Sequence, residues 1–111
     1  FDQAPPGMLG LETALALALT ELDLAPIDVF ALLSWGPAAV LGVDDVHGGP
    51  VAPGRPAHLC VVDPTETWTV DPGRLASRSR NTPYAGMELT GRVRHTLLAG
   101  EPVVVDGEAQ R

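Results

Sequence analysis

A turn rich in proline and glycine lies near the start of the chain and leads directly into an apolar run. Pro5 and Pro6 have a fixed φ and no N–H donor, whereas Gly7 and Gly10 lack a Cβ and can adopt a positive φ. A small molecule can approach such a main chain closely. From the residues alone, an ordinary turn at a helix entry is the alternative. Glu12 is expected in the first helical turn, as a structural acid that fits the helix dipole.

The histidines and the acidic pair show no spacing typical of a metal site. His47 lies among turn residues, and His58 and His95 lie in strand-like runs, so each is interpreted as structural or solvated. Asp44 and Asp45 precede two glycines and are interpreted as a solvated turn. The residues themselves therefore predict no metal ligands.

Three arginines could form an anion site, but the acidic composition favours ion pairs. Arg78, Arg80 and Arg92 are expected to pair with carboxylates such as Glu88 or Glu101. The chain carries 14 acidic residues against 7 arginines, with a net charge of −7. Because binding to a phosphate backbone requires a basic face, nucleic acid is excluded as an expected partner.

Length and composition indicate one modest domain at most. The chain has 111 residues, 12 Gly and 11 Pro, so many turns separate short elements. The longest apolar run, residues 14–19, is far shorter than the roughly 20 residues that span a bilayer, and no signal peptide is visible. No membrane partner is expected. Cys60 is the single cysteine and is interpreted as a small buried hydrophobe, which favours a cytoplasmic location.

The first part of the chain predicts three apolar helices. Apolar spacing predicts the first over residues 11–22, and Pro26 begins a short second helix that continues over residues 27–33. Ser34 is expected to cap the third, which has Pro37 in its first turn and is closed by Gly42.

The second part of the chain changes to the spacing of strands. A loop rich in helix and strand breakers over residues 44–56 is interpreted as a domain boundary. Residues 57–62 predict a strand stopped by Asp63-Pro64, and residues 67–70 predict another. Residues 92–98 and 103–105 predict a hairpin in which Gly100 supplies a positive φ. Apolar helices followed by strands do not obviously share one core, so the chain is expected to be a fragment of a larger structure.

Four segments resemble dihydroorotase, a member of the amidohydrolase superfamily, of the kind found in many bacteria. Two are fairly specific: residues 4–14 are similar to Ala-Pro-x-Gly-x-x-Gly-x-Glu-Thr-Ala, and residues 77–93 begin like Ser-Lys-x-x-Asn-Thr-Pro-Phe-x-Gly. Two occur throughout the superfamily: residues 34–42 are similar to Asn-Pro-Ala-x-x-Leu-Gly, and residues 54–64 to Gly-x-x-Ala-Asp-Leu-x-x-x-Asp. The resemblance concerns the C-terminal region of that family.

The resemblance implies an α/β fold: the last helices of a metal-dependent TIM-type barrel and the C-terminal share of a small composite β-sandwich. Residues 1–43 would end the barrel, residues 44–56 would be a linker, and residues 57–111 would belong to the sandwich. It also implies reversible hydrolysis of the cyclic amide of (S)-dihydroorotate to N-carbamoyl-L-aspartate in pyrimidine biosynthesis. The Zn²⁺ ligands and the catalytic aspartate would lie upstream of Phe1, so this segment would not be active alone.

The resemblance implies that Pro6 and Gly7 bind the substrate, on the loop after the last catalytic strand. Pro6 would offer a rigid apolar wall, and the Gly7 N–H would reach a ring carbonyl or carboxylate. No residue of this chain is implied to be catalytic or to bind metal. The implied partners are the remainder of the same polypeptide, the substrate dihydroorotate or carbamoyl aspartate, a second copy in a homodimer, and aspartate transcarbamoylase.

Two other functions remain open at this point. One is an inactive dihydroorotase-like chain that supports aspartate transcarbamoylase structurally. The other is a different cyclic amidase of the same superfamily, an allantoinase or a dihydropyrimidinase. Metal content and turnover of the respective substrates distinguish these functions from dihydroorotase.

Overall fold

A computed structural model describes residues 2–3 and 7–110 as helices followed by an antiparallel sheet. The helical part consists of α1 (Ala14–Glu21), α2 (Pro26–Phe30), a π-helical turn (Ala31–Trp35) and α3 (Gly36–Leu41). The sheet has four strands in the order β1-β2-β3-β4: β1 (Leu59–Thr69), β2 (Glu88–Leu98), β3 (Glu101–Val105) and β4 (Glu108–Ala109).

The second and third predicted helices form one continuous helical stretch. Ser34 is therefore not an N-cap, and that prediction was wrong: it lies inside the π-helical turn. Pro37 has no N–H for the helical ladder, and the wider turn before it places the Gly36 N–H on the Ala31 carbonyl. Gly42 ends the stretch as predicted, with φ 67°, because its left-handed conformation turns the last amides back onto helix carbonyls.

The two predicted strands on either side of Asp63-Pro64 are one long strand, β1. The prediction that Asp63-Pro64 stops the strand was wrong, because the chain bulges there and then resumes pairing with β2. Asp63 pairs with Arg92 and Thr67 pairs with Thr90, so residues 64–66 of β1 oppose only Gly91 of β2. The Asp63 carboxylate supports the bulge by accepting hydrogen bonds from amides of the bulged residues.

The bulge predicts an acid-sensitive contribution to stability from Asp63. Its Oδ1 accepts the Thr65 N–H at 2.9 Å, the Thr65 hydroxyl at 2.8 Å and the Glu66 N–H at 3.1 Å. These hydrogen bonds, first that of the Thr65 backbone, lower the pKa of Asp63 below its ordinary 3.8. A lowered folded pKa gives stability that is present above the unfolded pKa and is lost as pH falls through the folded pKa.

We therefore expect Asp63→Asn to reduce stability at neutral pH, and the difference from the unmodified protein to disappear in acid. Chemical denaturation at a series of pH values measures this difference. Asp45→Asn makes the same charge change in an exposed loop and serves as the control. A stability difference at Asp63 that persists unchanged well below pH 3.8 would contradict the assignment.

The predicted hairpin after β2 is confirmed, and a second hairpin follows it. Ala99 and Gly100 both have positive φ, 52° and 86°, as a two-residue type I′ turn requires. Asp106 and Gly107 repeat this geometry with 49° and 79° and join β3 to β4. Strand β4 was not predicted, although Asp-Gly after an apolar run is a strong signal for such a turn.

Helix α1 packs against β2, and the two share a small core. Ala16, Val70 and Leu89 are buried there, with Leu17, Trp68 and Tyr84 packed around them. The Thr20 hydroxyl oxygen accepts the Thr90 N–H at 2.9 Å, which fixes the helix along the strand. These contacts hold α1, and with it the turn that precedes it, at a defined position on the sheet.

Much apolar surface is left exposed by the described residues. Leu11, in the turn before α1, is 99% exposed, and Val40 on α3 is 87% exposed, whereas a closed domain rarely exposes so many large apolar side chains. The radius of gyration is 15.2 Å, compared with about 13 Å for a compact domain of this length. Cys60 is exposed on β1, so the interpretation of a buried thiol was wrong: its side chain lies on the open face of the strand.

The mixture of helices with a sheet is confirmed, and the sheet is antiparallel. The assignments to a barrel end and a composite sandwich, and the boundaries at residues 43 and 56, remain predictions. Within the described part of the chain, no helix has the length and hydropathy needed to cross a membrane.

Candidate functional site

Gly7 lies on an exposed part of the loop that precedes α1. Its φ is 68°, so the positive φ expected for the loop is confirmed at this residue. Apart from its chain neighbours, a Cβ built on Gly7 meets no atom of the described residues within 4 Å, so these residues leave the main chain open on that side. Pro6, the other predicted substrate contact, lies outside the described residues. The described loop therefore presents an accessible backbone at Gly7.

Asn81, which is distant in sequence, binds the Gly7 loop by hydrogen bonds. Its side-chain Nδ2 donates to the Gly7 carbonyl, and its own carbonyl accepts the Leu9 N–H at 2.8 Å. The first and fourth sequence motifs, which are 74 residues apart at this contact, are thus in direct contact. No role was predicted for Asn81, since no spacing rule connects such distant residues.

Glu12 holds the same loop by a second set of contacts. One carboxylate oxygen accepts the Ala76 N–H at 2.8 Å and the other accepts the Ser77 N–H at 3.1 Å. Glu12 is not in the first turn of a helix as expected, because a turn closed by the Thr13 N–H on the Gly10 carbonyl precedes α1. Glu12 therefore has a structural role, in which its carboxylate binds two backbone amides that are distant in sequence.

The segment that receives these contacts, residues 75–81, is braced internally. Leu75 is only 8% exposed and anchors it to the protein. Arg80 Nη1 donates to the carbonyl oxygens of Leu75, at 3.1 Å, and of Ser77. The expected pairing of Arg80 with Glu88 or Glu101 was wrong: its guanidinium instead satisfies carbonyls of its own turn.

A network of charged side chains lies at the bulge, on the sheet. Glu66 accepts from Arg92 Nη1 and Arg94 Nη1, both at 3.0 Å, and Asp106 lies 3.2 Å from Arg94 Nη2. The hydrogen bond to Glu66, followed by the charges of Glu66 and Asp106, raises the pKa of the Arg94 guanidinium. Arg92 therefore pairs with Glu66 and not with Glu88 or Glu101, because the bulge brings Glu66 beside it.

The histidines contact other parts of the described chain: His47 and His58 contact each other, and His95 Nδ1 accepts the Asp106 N–H at 3.4 Å. The rings of His47 and His58 are 4.3 Å apart, and His58 Nδ1 accepts the Ala99 N–H at 3.1 Å. In residues 2–3 and 7–110 no three His, Cys, Asp or Glu side chains form a group that could hold a metal ion. These described residues therefore do not fit a metal centre.

The arrangement can bind rather than react. The main chain at Gly7 is exposed, and contacts with distant residues through Asn81 and Glu12 restrain the loop around it. Backbone donors of this kind orient small molecules in enzyme sites whose reactive groups come from other loops.

Comparison with known proteins gives close relatives across nearly the whole chain. The chain is 47% identical to the dihydroorotase of Mycobacterium leprae over 105 residues, and 48% identical to that of Streptomyces coelicolor over 109 residues. These alignments cover 91% and 95% of the chain. The chain is homologous to dihydroorotases. It spans 24% and 25% of the length of these two relatives.

Solved structures of hydantoinases share the fold of this dihydroorotase homologue. A D-hydantoinase (dihydropyrimidinase) from Thermus sp. superposes with a TM-score of 0.85 at 24% identity, over 99% of the chain and 25% of that protein. An L-hydantoinase from Arthrobacter aurescens gives a TM-score of 0.82 at 29% identity, over 97% of the chain and 25% of that protein. No family model matches the chain. The resemblance that the four motifs indicated is confirmed.

Proposed function

We propose that this chain is part of a metal-dependent dihydroorotase, which reversibly hydrolyses the cyclic amide of (S)-dihydroorotate to N-carbamoyl-L-aspartate. The observation that carries the proposal is identity of 40–48% to dihydroorotases over at least nine-tenths of the chain. The hydantoinases of known structure are less similar, at 24% and 29% identity. The identities therefore favour the substrate of the dihydroorotases over that of the hydantoinases. The chain matches only a quarter of its relatives, so the activity belongs to a larger assembly of residues.

In this proposal, Pro6 and Gly7 contact the substrate. The open side of Gly7 supports the assignment, since an N–H beside an unobstructed Cα can reach a ring carbonyl or carboxylate. Pro6 would contribute a rigid apolar wall next to it. The segment supplies binding and orientation but no proton transfer.

The metal, proposed as Zn²⁺, is held by residues outside this segment. When bound, the metal would supply an activated water for attack on the amide.

The remainder of the same polypeptide is the proposed partner of the exposed helices. Ile27, Leu32, Val40 and Leu41 are 55%, 58%, 87% and 74% exposed, and burying them against further structure would be favourable. In this arrangement α1–α3 end a TIM-type barrel, and β1–β4 form the C-terminal share of a composite sandwich. A homodimer, an association with aspartate transcarbamoylase and a cytoplasmic location complete the proposal.

A hydantoinase or another cyclic amidase is the second candidate, favoured by the structural similarity alone. Turnover of dihydroorotate, dihydrouracil, hydantoin and allantoin by the purified complete protein, with its metal content measured in parallel, decides between the candidates. We expect kcat/KM to be about 100-fold higher for dihydroorotate than for the other amides, because a site built around a substrate carboxylate rejects rings that lack it. Preference for hydantoin or dihydrouracil would support the second candidate. A metal-free protein inactive on all four would support the third, an inactive structural partner of aspartate transcarbamoylase.

A further inference from the structure

The loop at Gly7 is attached at two points to a single braced segment. We name this arrangement the clasp: Glu12 and Asn81, with the amides of Ala76 and Ser77 and the backbone of Gly7 that they bind. Between the two attachment points lie only four residues, 8–11. A segment this short has little freedom once both ends are fixed.

The two attachment points restrain different atoms. Glu12 offers both carboxylate oxygens to successive amides, at 2.8 and 3.1 Å, and hydrogen bonds to a charged acceptor are the stronger kind. Asn81 acts directly on the peptide unit that follows Gly7, through its carbonyl. The orientation of the backbone at Gly7 is therefore set by side chains that need not touch a ligand.

The clasp also connects the loop to the core. Residues 75–81 are anchored by buried Leu75 and cross-linked by Arg80, while the helix that follows Glu12 packs on β2. The loop is thus held between two fixed elements.

We propose that Glu12 and Asn81 are positioning residues for substrate binding, acting through the backbone of Gly7. This inference rests on the proposed function, in which Gly7 contacts dihydroorotate. Loosening the clasp should weaken binding of the substrate and leave the chemical step, which other residues perform, largely intact.

Glu12→Gln in the complete enzyme tests the role of the carboxylate. The amide retains one acceptor oxygen and turns an NH₂ group toward the second backbone N–H. We expect the KM for dihydroorotate to rise about tenfold with kcat within about twofold, corresponding to the loss of about 1.4 kcal/mol of binding. Glu21→Gln makes the same charge change at the exposed end of α1 and should leave both constants unchanged.

Asn81→Asp tests the second attachment independently and keeps the proposal testable if Glu12→Gln does not fold. It places an acceptor oxygen opposite the Gly7 carbonyl, and we expect a similar rise in KM. The double variant should raise KM by less than the product of the single effects, since both residues position one loop. A purely structural role would lower the amount of active enzyme, and thus the apparent kcat, at unchanged KM.

Hydrogen exchange at the Leu9 and Ser77 amides separates this inference from the proposed function. In Glu12→Gln the exchange of both amides should accelerate about tenfold or more relative to Glu21→Gln, whether or not the enzyme accepts dihydroorotate. If the unmodified enzyme does not turn over dihydroorotate, the proposed function fails. If the exchange of the Leu9 and Ser77 amides is the same in Glu12→Gln and Glu21→Gln, the clasp is overturned, whatever the activity. In an active enzyme, a KM for Glu12→Gln within twofold of the control overturns the positioning role.

Discussion

Gly7→Ala is expected to raise the KM for dihydroorotate by about tenfold or more in the complete enzyme. At φ 68° an alanine Cβ is strained by about 1–2 kcal/mol, which favours a shift of the loop. The added methyl group would also occupy the open side of Gly7, where the described residues beyond its chain neighbours place no atom within 4 Å and where the substrate is proposed to approach. Both effects weaken binding, and steady-state kinetics with dihydroorotate measures them.

Gly42→Ala provides a closely matched control. Gly42 has φ 67° and equally open space around its Cα, but it ends α3, and nothing places it beside the Gly7 loop. The backbone strain is therefore the same while the site is untouched. We expect Gly42→Ala to lose about 1–2 kcal/mol of stability and to keep an unchanged KM. Equal KM values for the two variants would exclude Gly7 from the substrate site.

The candidate loop was accessible to sequence reasoning because its signal is local. Two prolines, which fix φ, and two glycines, which permit a positive φ, precede an apolar helix, and this pattern can be recognised without coordinates. The residues that hold the loop in place could not be predicted from the sequence. Glu12 and Asn81 act across 64 to 74 residues of sequence, and only the fold brings those partners together.

The errors in the fold prediction share a physical cause: a breaker residue was compensated by its neighbours. Pro64 ends a strand by propensity, but the Asp63 carboxylate satisfies the amides that the bulge frees, and pairing resumes. Pro37 suggested a new helix, but the π-helical turn before it accommodates the missing donor. The turn at Ala99-Gly100, in contrast, has a local signal, a glycine that can adopt a positive φ in a two-residue loop, and was predicted correctly.

The bulge creates a further requirement at Gly91. This residue alone opposes residues 64–66 of β1, its φ is 96°, and its carbonyl accepts the Trp68 Nε1–H at 3.0 Å. A Cβ at this position would collide with Leu19 Cδ1 and would lie 3.4 Å from the Leu19 Cβ and Cγ atoms. The absence of a side chain thus allows α1 to pack closely on β2.

Gly91→Ala is accordingly expected to destabilise the protein by about 3 kcal/mol: about 1–2 from the left-handed backbone and the rest from overpacking against Leu19. Gly100→Ala carries comparable backbone strain, at φ 86° in an open turn, and should cost only the first part. Chemical denaturation of the complete protein, monitored by tryptophan fluorescence, gives both values. Leu19→Ala removes the colliding methyl group, so in that background Gly91→Ala should cost no more than Gly100→Ala. If the cost stays near 3 kcal/mol there, the close approach of α1 to β2 is not what requires glycine, and backbone strain at the bulge must account for all of it.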